Sequence, residues 1–292
     1  MSTPPTIHDL DGIAAIYPHE PEHFSIVRAQ VQQRAQLVNT WSIKPGEKVL
    51  EIGCGQGDCT VVLATAVGDE GSVTAVDPAS LDYGSPYTLG QAQVHLRASS
   101  VGHRINFVQA DPIGFLQSSS EHYTTAVLAQ CSWYFAAPHV FSDILAALLD
   151  RVDRICISEY ALTSTDYRAM PHILATFAQA SLECRKTTST ANVRSMLSPE
   201  QLRAAALAVG LAVKAETVMQ PPEGMLDGSW EAGYVASKSF EEDVNKYVSD
   251  EREKAVCIAA RDSVRAARDV LKAKGDRVHT MDIWVATFAK AG

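Results

Sequence analysis

Residues 49–60, "VLEIGCGQGDCT", join a short apolar strand to an apolar helix through three alternating glycines, Gly53, Gly55 and Gly57. Without side chains the backbone can bend sharply there and let a ligand approach the main chain. The same strand-to-helix rhythm then repeats. "KVLEIG", "GSVTAVD", "INFVQAD", "TTAVLAQ" and "RICISEY" read as strands, and "CTVVLATAV", "LGQAQVHLRASSV" and "APHVFSDILAALLDRV" as the helices between them. Alternation of this kind builds a doubly wound α/β sheet whose ligand crevice lies at the carboxyl ends of the strands.

The rhythm breaks twice. Residues 161–197 form an insertion with at least one helix, "MPHILATFAQASLECRK". The capping box Ser198–Gln201 then opens a helix that Gly210 closes, and "LAVKAETVMQ" is strand six. A second departure spans about 221–275, read as a loop, "PPEGMLDGSWEAGY", followed by one long charged helix from about 240 to 272. "HTMDIWVATFAK" is the last strand. At the other end, residues 1–20 read as an irregular lead-in, and a helix starts at Pro21 with Phe24, Val27, Val31, Ala35 and Val38 on one stripe. The expected organisation is an N-terminal lead-in and lid helix (1–45), a cofactor-binding core (46–160), a helical cap (161–197) and the rest of the sheet domain (198–292).

The net charge of −9 disfavours a nucleic-acid partner, and no apolar run approaches membrane-spanning length. The six cysteines lie far apart without a CxxC pair, so reduced, buried thiols are expected and a metal is not. The N-terminus has neither the basic nor the apolar region of a secretory signal, so a cytoplasmic location is expected. Nothing in the sequence addresses the oligomeric state.

A dinucleotide is a poor match for the glycine turn. The third glycine of GxGxxG would fall at Asp58, whose carboxylate would oppose pyrophosphate, and no Gly-Lys-Ser/Thr follows to make a P-loop. What does stand in order is Glu51-x-Gly53-x-Gly55-x-Gly57, then Asp77 at the end of strand two and Asp111 at the end of strand three. This ordered set resembles the class I S-adenosylmethionine-dependent methyltransferases, a Rossmann-like fold with a seven-stranded sheet, over roughly residues 47–160. Helical lid insertions complete the expected architecture.

The resemblance implies S-adenosyl-L-methionine as cofactor. It implies that the glycine turn lies against the methionine and ribose, that Asp77 accepts from the ribose hydroxyls, and that Asp111 accepts from the adenine amine with Pro78 near the ring. Glu51 would orient the methionyl amino group, and Gln130 would offer main-chain contacts. Each residue also has a plainer reading: strand-end aspartates cap helices, and Glu51 can be structural.

After strand four stands "QCSWYF" rather than the Asn/Asp-Pro-Pro-aromatic motif of nucleobase-amine enzymes. The chain is similar instead to small-molecule methyltransferases of secondary metabolism. An apolar or aromatic metabolite methylated on O, S or N is the implied reaction. Trp133, Tyr134, Tyr160 and Trp230 are candidate substrate walls, with core packing as the alternative. Glu159, at the end of strand five, and His172, beside Pro171 in the cap helix, are candidate proton acceptors; Glu159 can equally cap the next segment, and His172 can face solvent. Two other readings of the same residues are a methyltransferase-fold protein that uses the cofactor's charge for a cyclisation or rearrangement, and a regulatory methyltransferase-like binding module.

Overall fold

The computed structural model describes residues 7–189 and 191–291. Strands β1 (Lys48–Ile52), β2 (Ser72–Asp77), β3 (Ile105–Gln109), β4 (Tyr123–Ala129), β5 (Val152–Tyr160), β6 (Leu211–Met219) and β7 (Ile283–Lys290) form one sheet in the order β3-β2-β1-β4-β5-β7-β6. β1 to β5 pair in parallel, and β7 runs antiparallel between β5 and β6. Apart from its first residue, β1 is buried throughout, the mark of a strand covered on both faces.

Two apolar layers supply that cover. Val49, Val73, Val127 and Val285 face helices α1 (Leu10–Ile16), α2 (Phe24–Thr40) and α3 (Asp58–Val67). Leu50, Val76, Leu128 and Trp284 face the opposite layer, with α5 (Pro112–Ser118), α6 (Pro138–Leu148) and α8 (Pro199–Ala208). Neighbouring strand residues point to opposite faces, so one continuous apolar run feeds both layers. The intervening α4 (Leu89–Arg97) starts at a capping box of Thr88 and Gln91 and ends at Arg97, short of the expected "ASSV".

A separate apolar cluster binds α7 (Met170–Glu183), α9 (Asp227–Val235), α10 (Lys238–Tyr247) and α11 (Glu251–Lys274) into a helical layer beside the strand ends. Three expectations for the connecting segments are corrected. The lead-in contains α1, capped by the Asp9 carboxylate on the Gly12 N–H and anchored by buried Ile13 and Ala14; residues 1–6 of the lead-in lie outside the described residues. The loop at 221–234 includes α9, whose buried Ala232 and Val235 outweigh its glycines. The long helix is two, because Asp250 caps a new start by accepting from the Arg252 and Glu253 N–H groups. Five of the six free thiols are buried, as expected, but Cys184 is exposed.

Candidate functional site

The carboxyl ends of β1, β2, β4 and β5 converge on the glycine turn. Gly53 takes φ +76°, and a Cβ on it would lie 2.6 Å from Cys131 Cβ, so only glycine fits. A Cβ on Gly55, at φ +52°, would meet nothing within 4 Å: the space above the turn is open on the side a ligand would occupy. Asp77 braces the turn from β2. Its Oδ2 accepts from Gly55 N at 2.8 Å and its Oδ1 from Ala79 N at 2.8 Å, which leaves lone pairs on both oxygens. Asp111 is exposed and caps α5 through Gly114 N at 2.8 Å, with Oδ2 remaining; Pro78 is exposed beside Asp77.

Glu51 is buried, accepts from Thr60 Oγ1 at 2.6 Å, and has its pKa pushed up to about 8 by burial. Its carboxyl is thus turned into the protein between β1 and α3. Gln130, at the end of β4, adopts φ +51° and points its Oε1 at Arg34.

Arg34 is the organising residue that the sequence did not single out. It reaches from α2 to Asp58 Oδ2 at 2.7 Å, to Gln33 Oε1 at 2.8 Å and to Gln130 Oε1. Burial opposes its charge, but Asp58 outweighs the penalty and holds its pKa above the ordinary value. Because both glutamines turn their oxygens to the guanidinium, the Gln33 and Gln130 amide nitrogens are left buried without a partner. Asp227 Oδ2, at the start of α9, is another buried atom without a partner. Burial raises the Asp227 pKa, while Arg34 and the Tyr160 phenol pull it back. The α2 periodicity exposed neither Gln33 nor Arg34 as unusual, and Asp227 was hidden in a segment read as loop.

From the N-terminal side, Tyr17 closes on the turn by donating to Gln56 Oε1 at 3.2 Å. This geometry fits a zwitterionic methionyl group with an attached ribose: amide and guanidinium donors for a carboxylate, carboxylates for an ammonium, and Asp77 for vicinal hydroxyls.

The remaining candidates separate into two groups. Glu159 is buried and fully engaged. Its Oε2 accepts from Ser132 N at 3.1 Å and Ser132 Oγ at 2.6 Å, and its Oε1 from Tyr160 N at 3.0 Å, with burial pushing its pKa up to about 7. It therefore ties β5 to the turn after β4 rather than capping the segment that follows β5. Trp133, in the same turn, is buried, donates to Leu197 O at 3.0 Å and packs on Val193 and Met281, the core alternative.

The Tyr160 ring packs against Trp133 (ring centroids 5.3 Å apart) and against His172 (5.0 Å). His172 is buried rather than solvent-facing, and burial lowers its pKa to about 3. Tyr134 is 41% exposed, and Trp230, 53% exposed, lines a cleft in the helical layer.

Residues 49–155 match the family described as a methyltransferase domain. Over 93% of its length the chain is 28% identical to methyltransferase phomM of Diaporthe leptostromiformis, covering 86% of that protein, and 27% identical to phomM′ over the same shares. A cyclopropane-fatty-acyl-phospholipid synthase-like protein from Lactobacillus casei superposes with a TM-score of 0.82 at 27% identity, covering 96% of this chain and 98% of that one. The cyclopropane synthase MmaA2 of Mycobacterium tuberculosis shares the fold, with a TM-score of 0.52 at 14% identity over 97% of this chain and 95% of that one. With the strand order, the glycine turn and the matched domain in agreement, the chain carries a methyltransferase domain on the class I methyltransferase fold and is an S-adenosylmethionine-dependent enzyme, with S-adenosylmethionine as its cofactor.

Proposed function

We propose that the protein transfers a methyl group to an O, S or N atom of a small, apolar or aromatic metabolite, and that Asp227 orients the acceptor by taking a hydrogen bond from it. The observation that carries this reading is the unpartnered, buried Asp227 Oδ2, held beside Tyr160 and within electrostatic reach of Arg34. Gly53, Gly55, Gly57 and Asp77 hold the ribose side of the cofactor, Asp111 and Pro78 the adenine side, and Arg34, Gln33 and Gln130 the methionyl carboxylate. Glu51 stiffens the floor beneath them.

The cofactor supplies an activated methyl group when bound. The protein contributes position and dryness: in-line displacement needs donor and acceptor held at near-contact distance with water excluded. Tyr17 covers the turn from the N-terminal side, and the start of α9 brings Asp227 within electrostatic reach of Arg34. Neither Glu159 nor His172 takes the proton in this reading. Glu159 accepts from Ser132 with one oxygen and from the Tyr160 N–H with the other, and His172 Nδ1 is occupied by the Met281 N–H. A base of raised pKa, Asp227, stands closer to the task.

Incubation of the purified protein with cofactor labelled in its methyl group and with extracts of small molecules tests this reading. Label appearing in a metabolite of low mass supports it. Consumption of a metabolite without label points to cofactor-assisted rearrangement, and the absence of both favours a binding module.

A further inference from the structure

The helical layer carries a cleft of about 720 Å³ whose walls include Trp230, Glu231, Gln179, Tyr247 and Lys186. On α9, Asp227, Trp230, Glu231 and Tyr234 fall at the spacing of one helix face, so Glu231 lies one turn, about 6 Å along the axis, beyond Asp227. One face of a single helix thus runs from the proposed acceptor position out into the cleft. The Tyr134 phenol is within electrostatic reach of both Glu231 and Asp227.

Charges in the cleft are unevenly matched. Lys186 is held by Glu183 Oε1 at 2.7 Å and by Asp243 Oδ2 at 3.5 Å, and it stacks over the Tyr247 ring at 4.8 Å. Glu231, by contrast, accepts only neutral partners: the Gln179 amide bonds it and Asn192 faces it, and among the described residues no Lys, Arg or His nitrogen comes within 4 Å. Beside this carboxylate stands the Trp230 indole, 53% exposed. A partly buried carboxylate without a counter-ion, next to an open aromatic face, is the arrangement that selects an organic cation.

We infer that the cleft is the distal half of the acceptor site and that Glu231 and Trp230 recognise a positively charged group, a protonated amine or guanidinium, carried by the acceptor about one helical turn from the atom that is methylated. The inference rests on the proposed acceptor position at Asp227 and narrows the substrate class to aromatic metabolites that carry an organic cation. A simple anion or a neutral sugar would leave Glu231 opposed or unmatched.

The test uses the full-length protein saturated with S-adenosylhomocysteine and two small probes of the same shape, 2-phenylethylamine, charged at pH 7, and neutral 2-phenylethanol. Ligand-observed NMR titration should show the amine bound at least about tenfold more tightly than the alcohol, the worth of one charged hydrogen bond. Glu231→Gln should erase that preference while leaving S-adenosylhomocysteine affinity unchanged, and Trp230→Ala should weaken the amine in an otherwise intact cleft. Equal binding of the two probes, binding of neither, or a preference that survives in Glu231→Gln overturns the inference. Failure of S-adenosylhomocysteine to bind would instead strike the cofactor assignment, with the amine and alcohol then compared on the free protein.

Discussion

His172 Nδ1 accepts the backbone N–H of Met281 at 3.0 Å, a bond that spans 109 residues and pins α7 to the segment leading into β7. That bond decides the tautomer: with the Nδ1 lone pair engaged, neutral His172 carries its proton on Nε2 and is a donor on that side. Nε2 is buried without a polar partner, next to the Tyr160 ring. A side chain fixed in this way offers a substrate an N–H, not a base.

Its buried neutrality has a consequence for stability. The folded pKa of about 3 lies below the ordinary value of 6.5, so the unfolded chain binds the extra proton. The contribution is therefore complete above about pH 6.5 and is lost as pH falls toward 3, at up to roughly 1.4 kcal/mol per pH unit. Melting curves between pH 4 and 7 should show a shallower acid decline in His172→Gln than in the wild type. An unchanged slope would count against the buried neutral imidazole.

Glu51 works in the opposite sense. Its pKa is raised from 4.5 to about 8, so the folded state holds the proton and stability declines as pH rises from about 4.5 through 8. Glu51→Gln, a neutral replacement that can still accept from Thr60, should flatten this decline and melt at a higher temperature than the wild type at pH 9. Identical pH profiles would show that the carboxyl is hydrated.

Asp77→Ala removes the carboxylate that faces the open glycine turn. Affinity for S-adenosylmethionine should fall by about ten- to a hundredfold, or 1.5–3 kcal/mol. Because Asp77 also braces Gly55 N and Ala79 N, the fold of the variant is checked by its melting temperature alongside calorimetry.

Asp227→Asn keeps the shape of α9 but not the acceptor strength of its first residue. Turnover of a methylated substrate should drop by about 10²–10⁴ with cofactor affinity scarcely changed. Wild-type turnover would mean that positioning alone drives the transfer.

Removal of residues 1–17 should reduce turnover and also stability. Ile13 and Tyr17 are buried in the layer under α2 and α3, and losing their burial costs roughly 3–6 kcal/mol. A truncated protein that melts like the full chain and turns over at full rate would show that α1 neither supports nor covers the site.

The succession of strands along the chain, the glycine turn and the aspartates at the ends of β2 and β3 are legible in the residues, because each depends on local chemistry. A short continuous apolar run, a turn that excludes Cβ atoms and a carboxylate at a strand end all act within a few residues of one another. Helix starts were legible where a cap announced them, as at Ser198. They were missed where burial overrode composition, as in α9, whose glycines suggest a loop until Ala232 and Val235 pack against α7.

The polar interior of the site depended on tertiary structure. Arg34, Gln130 and Asp227 are 96 residues or more apart in sequence, and Arg34 lies on an otherwise ordinary amphipathic helix; only folding brings them together. The same holds for the roles of Glu159 and His172. Sequence placed an ionisable group at the crevice edge in each case, but a lone pair is free or engaged according to which backbone N–H the fold delivers to it, and Ser132 and Met281 arrive from other strands and turns. What a residue can do is written in its chemistry, whereas what it is left free to do is settled by its three-dimensional neighbours.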